Sequence, residues 1–248
     1  MNAIYDKIGV NYSVTRCTDP QVAKQLYAEL QGATRIINIG AGTGSYEPEN
    51  VDLVAVEPSA EMIAQRAANA YPVEQASAES LPFEDSSFSH AMTVLSMHHW
   101  VDRPRAFSEI NRVATEKFVA ITWNPDSEPF WLTRDYFPVI YDMDRAIFPK
   151  LTLFKEHFDD VEIRPLQIPS DCEDGFFAAF WKRPEAYLLP EVQQATSALA
   201  KLDNLTEGMQ KLEHDLASGA WAKRNQDMLA LDSFDAGYRL ITAKVRKG

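Results

Sequence analysis

The sequence predicts an α/β protein built on a mostly parallel β-sheet with helices on both faces. Between residues 35 and 123, short β-branched segments alternate with amphipathic helical segments, which is the pattern of parallel strands joined by crossover helices. The chain of 248 residues is also long enough to bury the core that such a sheet needs. Ligands of these sheets bind beyond the carboxyl ends of the strands.

The boundaries of the first elements are marked by residues with strong local preferences. Asp19 and Pro20 are typical of a helix start and Gly32 of a helix end. A strand over residues 35–39 then runs into a loop that holds three of the ten glycines. Further strands are predicted over residues 53–56, 73–76, 88–95 and 118–122, with helices from Pro58 and over residues 104–114.

After Trp123 the chain changes character. Residues 123–187 contain 14 of the 27 aromatic residues, and several prolines there interrupt any long helix. This composition predicts an aromatic-rich lid rather than more sheet. Beyond it the sequence predicts a sixth strand over residues 161–168, helices over residues 191–231, and a last strand over residues 237–243 at an edge of the sheet.

The composition excludes several classes of partner. The net charge of −12 has the wrong sign for binding nucleic acid or an anionic membrane surface. Cys17 and Cys172 are the only cysteines, too few for a zinc or iron–sulfur framework, so we expect no metal. We find neither an apolar signal-peptide core in the first residues nor an apolar run of membrane length. We therefore expect a cytoplasmic protein with a small-molecule partner, and its oligomeric state stays open.

The glycine loop and one acidic residue predict a site for an adenosine cofactor. The loop Gly40-Ala41-Gly42-Thr43-Gly44 ends the first strand, and without Cβ atoms its N–H groups can approach a ligand closely. Glu57 ends the second strand, where a carboxylate can accept hydrogen bonds from ribose hydroxyls. The alternative is that the loop is a plain turn and that Glu57 is a solvated acid at a helix N-terminus.

Two adenosine cofactors compete for this site, a nicotinamide dinucleotide and S-adenosylmethionine. The dinucleotide fingerprint needs its third glycine where Ser45 stands, and a full helix that receives the pyrophosphate. Only residues 40–50, including Pro48, separate the first two strands, which leaves room for a turn or two of helix. S-adenosylmethionine has no phosphate, so the short crossover favours it and leaves an oxidoreductase as the weaker alternative.

Four motifs appear in order, NIGAGTGSYEP (38–48), AVEPSAEM (55–62), ASAESLPF (76–83) and VLSMHHW (94–100). With them, the chain resembles the class I S-adenosylmethionine-dependent methyltransferases of the small-molecule type 11 group, and residues 5–9 and 237–240 share the likeness. The resemblance implies a doubly wound, mostly parallel seven-stranded sheet with an aromatic-rich, mainly helical lid. It divides the chain into an N-terminal helical segment that covers the cofactor (1–34), a cofactor-binding core (35–123), a lid with helical insertions around the sixth strand (124–234) and a final sheet strand (235–248).

The resemblance also implies which residues contact the cofactor. They are Gly40, Ala41, Gly42 and Gly44 at the methionine part, Glu57 at the ribose, Pro58 and Met62 at the adenine face, Ala78 and Glu79 at the adenine edge, and Val94 and Leu95 beneath the sulfonium. Tyr12 and Arg16 either close over the cofactor carboxylate or are surface residues.

Two positions depart from the family pattern. Asn38 stands where the family usually has an acidic residue, so the charge attraction to the cofactor's ammonium is lost. Ser89 stands where an aspartate is common, and we interpret this exchange as structural.

Methyl transfer is an in-line displacement, so such an enzyme must mainly align the reactants and exclude water. His98 and His99 follow the fourth strand closely; they are the candidate general bases, or they pack around the cofactor. Aromatic residues line an apolar acceptor pocket or form the lid's own core, namely Trp123, Trp131, Tyr136 and Phe137, with Phe130 and Tyr141. We expect a methyltransferase of the EC 2.1.1 class that acts on a small, partly apolar acceptor. The alternative is a non-methylating S-adenosylmethionine-binding protein or enzyme on the same fold.

Overall fold

The predicted sheet is present in the structure, a computed structural model that describes residues 16–247. Its seven strands are β1 (Ile36–Ile39), β2 (Leu53–Val56), β3 (Val73–Glu74), β4 (Phe88–Val94), β5 (Ala114–Trp123), β6 (Asp159–Pro165) and β9 (Tyr238–Lys244). They lie in the order β3-β2-β1-β4-β5-β9-β6. A separate small sheet pairs β7 (Ile168–Pro169) with β8 (Ser233–Phe234).

The last strand of the chain does not lie at an edge of the sheet. Strands β1 to β5 are parallel, whereas β9 pairs antiparallel with β5 on one side and with β6 on the other. The prediction of an edge strand was therefore wrong. The physical reason is that β9 is buried along nearly its whole length and needs partners for both rows of its backbone groups. Strand β6, whose side chains are mostly exposed, forms the edge instead.

The predicted boundaries of other strands shift in three places. β5 begins at Ala114, directly after the preceding helix, and β3 shrinks to two residues. The predicted sixth strand is split, because β6 ends at Pro165 and β7 begins only at Ile168. Proline has no N–H to donate to a neighbouring strand, so it is a natural end for β6.

Eleven helices are described within residues 16–247. They are α1 (Pro20–Glu29), α2 (Ala60–Ala64), α3 (Arg103–Val113), α4 (Trp131–Asp135), α5 (Pro138–Ile147), α6 (Thr152–His157), α7 (Pro190–Ala195), α8 (Ser197–Ala200), α9 (Thr206–Ala217), α10 (Ala220–Arg224) and α11 (Gln226–Leu229). Asp19 caps α1 as predicted, since its Oδ1 accepts the N–H groups of Gln21 and Val22 at 2.9 and 2.8 Å. The described stretch between β1 and β2 contains no helix, so this crossover holds even less helix than the turn or two that the sequence allowed.

The sheet is buried on both faces because successive side chains of a strand point to opposite sides. On one face, Ile36 and Val119 pack in a cluster with the apolar side chains of α1 and of the lid. On the other face, Ile37 and Phe118 pack with those of α3 and α6. Ser89 ties the start of β1 to β4, since its hydroxyl accepts the N–H groups of the residues at 34 and 35, which agrees with a structural role.

The aromatic residues of the lid pack largely against one another. The ring of Trp131 meets those of Tyr136, Tyr187 and Trp221 with centroids 6.1, 5.5 and 5.2 Å apart. These edge-on arrangements are the favourable ones for aromatic pairs. No helix within residues 16–247 is long and apolar enough to cross a membrane.

Candidate active site

A cavity of about 440 Å³ lies at the carboxyl ends of β1, β2 and β4, where parallel sheets bind their ligands. We call it the strand-end cavity. The predicted site residues that line it are Arg16, Gly40, Ala41, Gly42, Glu57, Pro58, Met62, Ala78, Glu79, Val94, Leu95, His98 and His99. Gly44 is not among the lining residues. It faces Arg66 and Glu47 instead, since a Cβ added at this glycine would lie 3.2 Å from each of these side chains. Tyr12 lies outside the described residues.

Glu57 is held in place by the backbone around it. Its Oε2 accepts the N–H of Gly42 at 2.8 Å, and its Oε1 accepts the N–H of Ser59 at 2.9 Å. The residue is only 6% exposed. These two bonds tie the glycine loop to the start of α2 and fix the carboxylate at the wall of the cavity.

Two glycines of the loop are required by their surroundings. At Gly40 (φ +70°), an added Cβ would lie 2.3 Å from the hydroxyl oxygen of Ser96, so any larger residue would push the loop away from the end of β4. Gly42 has φ +55°, a backbone conformation that L-residues rarely adopt. The loop therefore packs tightly on the sheet and turns its backbone toward the cavity.

Asn38 belongs to a nearly buried polar network with Glu47 and Arg66. Its Nδ2 donates to Glu47 Oε1 at 3.1 Å, and Arg66 Nη2 lies 2.9 and 2.8 Å from the two carboxylate oxygens of Glu47. Burial raises the pKa of Glu47, and the guanidinium of Arg66 and the amide of Asn38 act against that rise. An acidic residue at position 38 would face Glu47 as a like charge. The amide is thus the residue that this network accommodates.

Glu79 has contacts that its predicted role did not include. Its Oε1 accepts the N–H groups of Val101 and Asp102 at 2.7 and 3.2 Å. The carboxylate therefore fixes the turn that leads into α3 beside the cavity. Its contact with an adenine edge stays a prediction.

A second cavity, of about 70 Å³, adjoins the first one beneath the lid. We call it the lid cavity. Arg16, Leu95 and His98 line both cavities. Of the aromatic candidates, Trp123, Phe130 and Tyr141 line the lid cavity, whereas Trp131, Tyr136 and Phe137 do not.

These last three residues lie in the lid's own core. Trp131 Nε1 donates to the carbonyl oxygen of Trp181 at 2.9 Å, and the Tyr136 hydroxyl donates to Asp215 at 2.9 Å. The ring of Phe137 lies against Gly208, where an added Cβ would come within 2.4 Å of it. Their contacts are those of packing residues rather than of a pocket wall.

His98 and His99 lie side by side where the two cavities meet. Their ring centroids are 3.8 Å apart, and the ring of His98 stacks on Phe148 at 4.3 Å. Burial lowers the pKa of both imidazoles, that of His99 to about 4, and the nearby cation Lys201 lowers both further. Both rings are therefore neutral at neutral pH and can accept a hydrogen bond or a proton.

Arg16 is fixed at the cavity wall by a buried carboxylate. Its Nε lies 2.7 Å from Asp174 Oδ1. Asp174 also accepts the hydroxyl of Tyr46 at 2.8 Å and the N–H of Gly175 at 2.7 Å, and it is fully buried. This carboxylate thereby joins the segment before α1, the glycine loop and the lid.

Comparison with known proteins finds similarity over the stretch that holds this loop, this carboxylate and these strand ends. Residues 37–117 match the model of a family described as a methyltransferase domain, type 11. This stretch is thus similar to the methyltransferase domains of that family. An uncharacterised methyltransferase of Mycobacterium tuberculosis is 35% identical over 115 residues, which are 44% of this chain and 47% of that protein. The chain thus spans about half the length of the curated relatives it matches.

Solved structures extend the likeness over the whole methyltransferase fold. A candidate methyltransferase from an antibiotic biosynthesis pathway of Anabaena variabilis is 28% identical with a TM-score of 0.84, over 92% of this chain and 98% of that chain. The [4+2]-cyclase SpnF, 16% identical, has a TM-score of 0.55 over 99% of this chain and 95% of that chain. The second likeness concerns the fold alone.

Sequence reasoning missed most of the lid cavity. Among the residues that line it are Asp144, Phe148, Thr196, Lys201 and Tyr238. Of these residues, only Tyr238 had a marker in the sequence, the glycine that precedes it. A glycine is needed at position 237 because a Cβ there would lie 2.6 Å from Trp123 Nε1. Asp144 lies on α5, and Phe148, Thr196 and Lys201 lie directly beside the ends of lid helices, where nothing in the local pattern distinguishes a cavity wall from core. Within residues 16–247, no three His, Cys, Asp or Glu side chains are grouped as metal ligands.

Proposed function

We propose that this protein transfers a methyl group from S-adenosylmethionine to a small, partly apolar acceptor. One observation carries the proposal. The strand-end cavity and the lid cavity share Arg16, Leu95 and His98, so a cofactor in the first can present its methyl group to an acceptor in the second. The family match over residues 37–117 supports this reading.

The strand-end cavity fits S-adenosylmethionine in size and in chemistry. Its volume of about 440 Å³ lies within the range of about 300–1,000 Å³ that is usual for small-molecule sites. Two backbone N–H groups hold the carboxylate of Glu57 in the wall of this cavity, where a carboxylate can accept hydrogen bonds from ribose hydroxyls. The other residues that would hold the cofactor are those of the glycine loop, Pro58 and Met62, Ala78 and Glu79, and Val94 and Leu95.

The crossover after β1 favours this cofactor over a dinucleotide. Residues 40–52 contain no helix, so no helix N-terminus is available there to bind a pyrophosphate. A sulfonium cofactor does not need one. This supports the methyltransferase proposal against the oxidoreductase alternative.

When bound, S-adenosylmethionine would supply an activated methyl group, and the residues of this chain would orient and shield it. Leu95 forms the floor between the cavities with φ +50°, and its N–H is held by the Ile121 carbonyl at 2.9 Å. Aromatic walls such as Trp123 and Phe130 would exclude water from the acceptor. Orientation of this kind can lower a barrier by about 7–11 kcal/mol, whereas a general base typically gives about 10²–10⁴ in rate.

The test of the proposed function uses methyl-labelled S-adenosylmethionine and a panel of hydroxylated aromatics, amines and fatty acids. We expect a labelled product that is one methyl group heavier than one panel member, together with S-adenosylhomocysteine. Glu57→Ala should reduce both. Tight binding of the cofactor in calorimetry without label transfer to any compound would contradict the proposal and favour a non-methylating use of the site.

A further inference from the structure

Two buried polar atoms of the lid cavity residues have no hydrogen-bond partner among residues 16–247. They are Nδ1 of His98 and the hydroxyl oxygen of Thr196, and both residues line the lid cavity. Buried polar atoms are nearly always bonded, and an exception calls for a ligand, an ion or a water. These two atoms therefore indicate where polar groups of an acceptor would bind.

Thr196 is unusual for a threonine in its position. It is 3% exposed and stands between α7 and α8 as the N-cap of α8, yet its side chain makes no capping hydrogen bond. Thr133 in the same wall is equally buried, but its hydroxyl donates to the Phe130 carbonyl at 2.8 Å. The unbonded hydroxyl is thus particular to Thr196 and is not common to both threonines of this wall.

The charges around His98 select the kind of group that it can receive. Burial lowers the pKa of His98 and so keeps the ring neutral, and the cations Lys201, Arg103 and Arg16 act in the same direction. A neutral imidazole with its proton on Nε2 accepts a hydrogen bond at Nδ1. Arg16 is paired with Asp174, but the positive charges of Lys201 and Arg103 still disfavour an ammonium group beside His98 and favour a group that becomes negative.

Within residues 16–247, Asp144 is the one carboxylate among the residues that line the lid cavity. Burial raises its pKa to about 6, and Lys201 acts against that rise. Lys201, in the same wall, therefore offsets the negative charge of Asp144. Because this charge is already offset, Asp144 does not make the cavity a site for amines.

We propose that the methyl acceptor is a hydroxyl oxygen rather than an amine, with its hydroxyl bonded to His98 Nδ1 and a second polar group of the same molecule bonded to the Thr196 hydroxyl. This inference rests on the proposed methyl transfer and names its substrate class. The lid cavity of about 70 Å³ is smaller than the about 150 Å³ that holds benzene in an apolar protein cavity. The part of the acceptor that enters it is therefore compact.

The transfer step balances with these groups. The acceptor oxygen forms the new bond to the methyl carbon, and the bond from that carbon to sulfur breaks with its electron pair remaining on sulfur. The hydroxyl proton passes to His98 Nδ1 and then to solvent. The oxygen becomes strongly acidic as it is methylated, so even a weakly basic imidazole can take its proton.

The first test measures binding without turnover, on wild-type protein saturated with S-adenosylhomocysteine. Calorimetry compares matched pairs of compact molecules that differ only in one hydroxyl or amino group: ethanol with ethylamine, ethylene glycol with ethanolamine, and glycolate with glycine. We expect the hydroxyl member to bind at least tenfold more tightly in at least one pair. Equal or tighter binding of the amines, or no binding by any compound, overturns the inference. Failure of S-adenosylhomocysteine itself to bind is a failure of the proposed function instead.

The second test uses substitutions in the wall of the lid cavity. Thr196→Val should weaken the best hydroxyl probe at least fivefold with no loss of S-adenosylhomocysteine affinity and no drop in Tm, because no protein bond is lost. Thr196→Ser should restore the affinity. The matched Thr133→Val removes a hydroxyl that is bonded to the protein, so it should lower Tm and leave the preference for hydroxyl over amine in place. Unchanged probe affinity in Thr196→Val would overturn the role of Thr196.

Discussion

Glu57 links the glycine loop to α2 and faces the cavity through the same carboxylate. Glu57→Ala removes the proposed ribose acceptor, and the unpaired hydroxyls should cost about 1–3 kcal/mol of binding free energy, or about 5- to 150-fold in Kd. Calorimetry with S-adenosylhomocysteine measures the change. Glu61→Ala, on α2 but not in the cavity wall, is the control and should bind normally. Equal affinity in the two variants would remove Glu57 from the site.

His99 makes the folded protein sensitive to acid. Its pKa is lowered to about 4 in the folded state, chiefly by burial, whereas an unfolded histidine titrates near 6.5. The stability that follows from its neutral state is fully present above pH about 6.5 and is lost as the pH falls toward 4. His98 acts in the same direction. Asp144, raised to about 6, acts oppositely, since its contribution is lost as the pH rises through 6.

Removal of His99 should therefore flatten the acid limb of the stability profile. We expect the Tm of His99→Gln to fall less than that of the wild type as the pH is lowered from about 6.5 to about 4.5. This range lies between the pKa of an unfolded histidine, about 6.5, and that of His99 in the folded protein, about 4. Thermal unfolding across this range measures the difference, with the exposed His214→Gln as the control. Parallel profiles for wild type and His99→Gln would contradict the buried neutral state.

Arg16 and Cys17, in the segment that precedes α1, are both bonded to Asp174. This fully buried carboxylate also bonds Tyr46 and the Gly175 N–H. Asp174→Asn removes the negative charge that pairs with Arg16, and breaking a buried ion pair in this way typically costs about 3–5 kcal/mol. We expect a lower Tm, faster proteolysis ahead of Pro20 and weaker S-adenosylhomocysteine binding. The exposed neighbour Glu173→Gln should behave as the wild type; a normal Asp174→Asn would show that the segment is anchored elsewhere.

The helices of the lid depend on Trp131 for their packing. The sequence leaves Trp131 either in an acceptor pocket or in the lid's own core. The side chain lies in the lid core, bonded to the Trp181 carbonyl and packed on Tyr187 and Trp221, so Trp131→Ala tests packing rather than an acceptor contact. Truncation of a buried tryptophan costs about 3–5 kcal/mol, so we expect a large fall in Tm. Trp123→Phe at the lid cavity should change acceptor KM with a smaller loss of stability, and the reverse pattern would contradict this division.

For the whole molecule, the proposed cofactor should act as a stabiliser. A ligand at 100 times its Kd adds about 2.7 kcal/mol to the free energy of unfolding. For a domain of this size, 1 kcal/mol corresponds to about 2–4 °C in Tm, so S-adenosylmethionine or S-adenosylhomocysteine should raise Tm by about 5–10 °C. NAD at the same concentration should not. A shift with NAD alone would restore the oxidoreductase alternative.

The parts of the molecule that follow local rules could be read from the sequence. Asp19 caps α1 because a short acidic side chain reaches the first free N–H groups of a helix. Gly40 and Glu57 mark the cavity because strands of a parallel sheet end at the same rim. The location of β9 could not be read, because any strand with apolar residues on both faces fits any interior place in the sheet.

The sequence by itself determined the α/β class, the methyltransferase-like motifs and most of the wall of the strand-end cavity, since these features lie within residues 35–123, whose spacing encodes local structure. The tertiary structure alone decided the wall of the lid cavity. His98, Asp144, Thr196 and Tyr238 meet at the lid cavity from distant elements, and no local periodicity specifies which faces of separate helices come together. The same long-range packing decided that Trp131 supports the lid while Thr196 keeps a buried, unbonded hydroxyl.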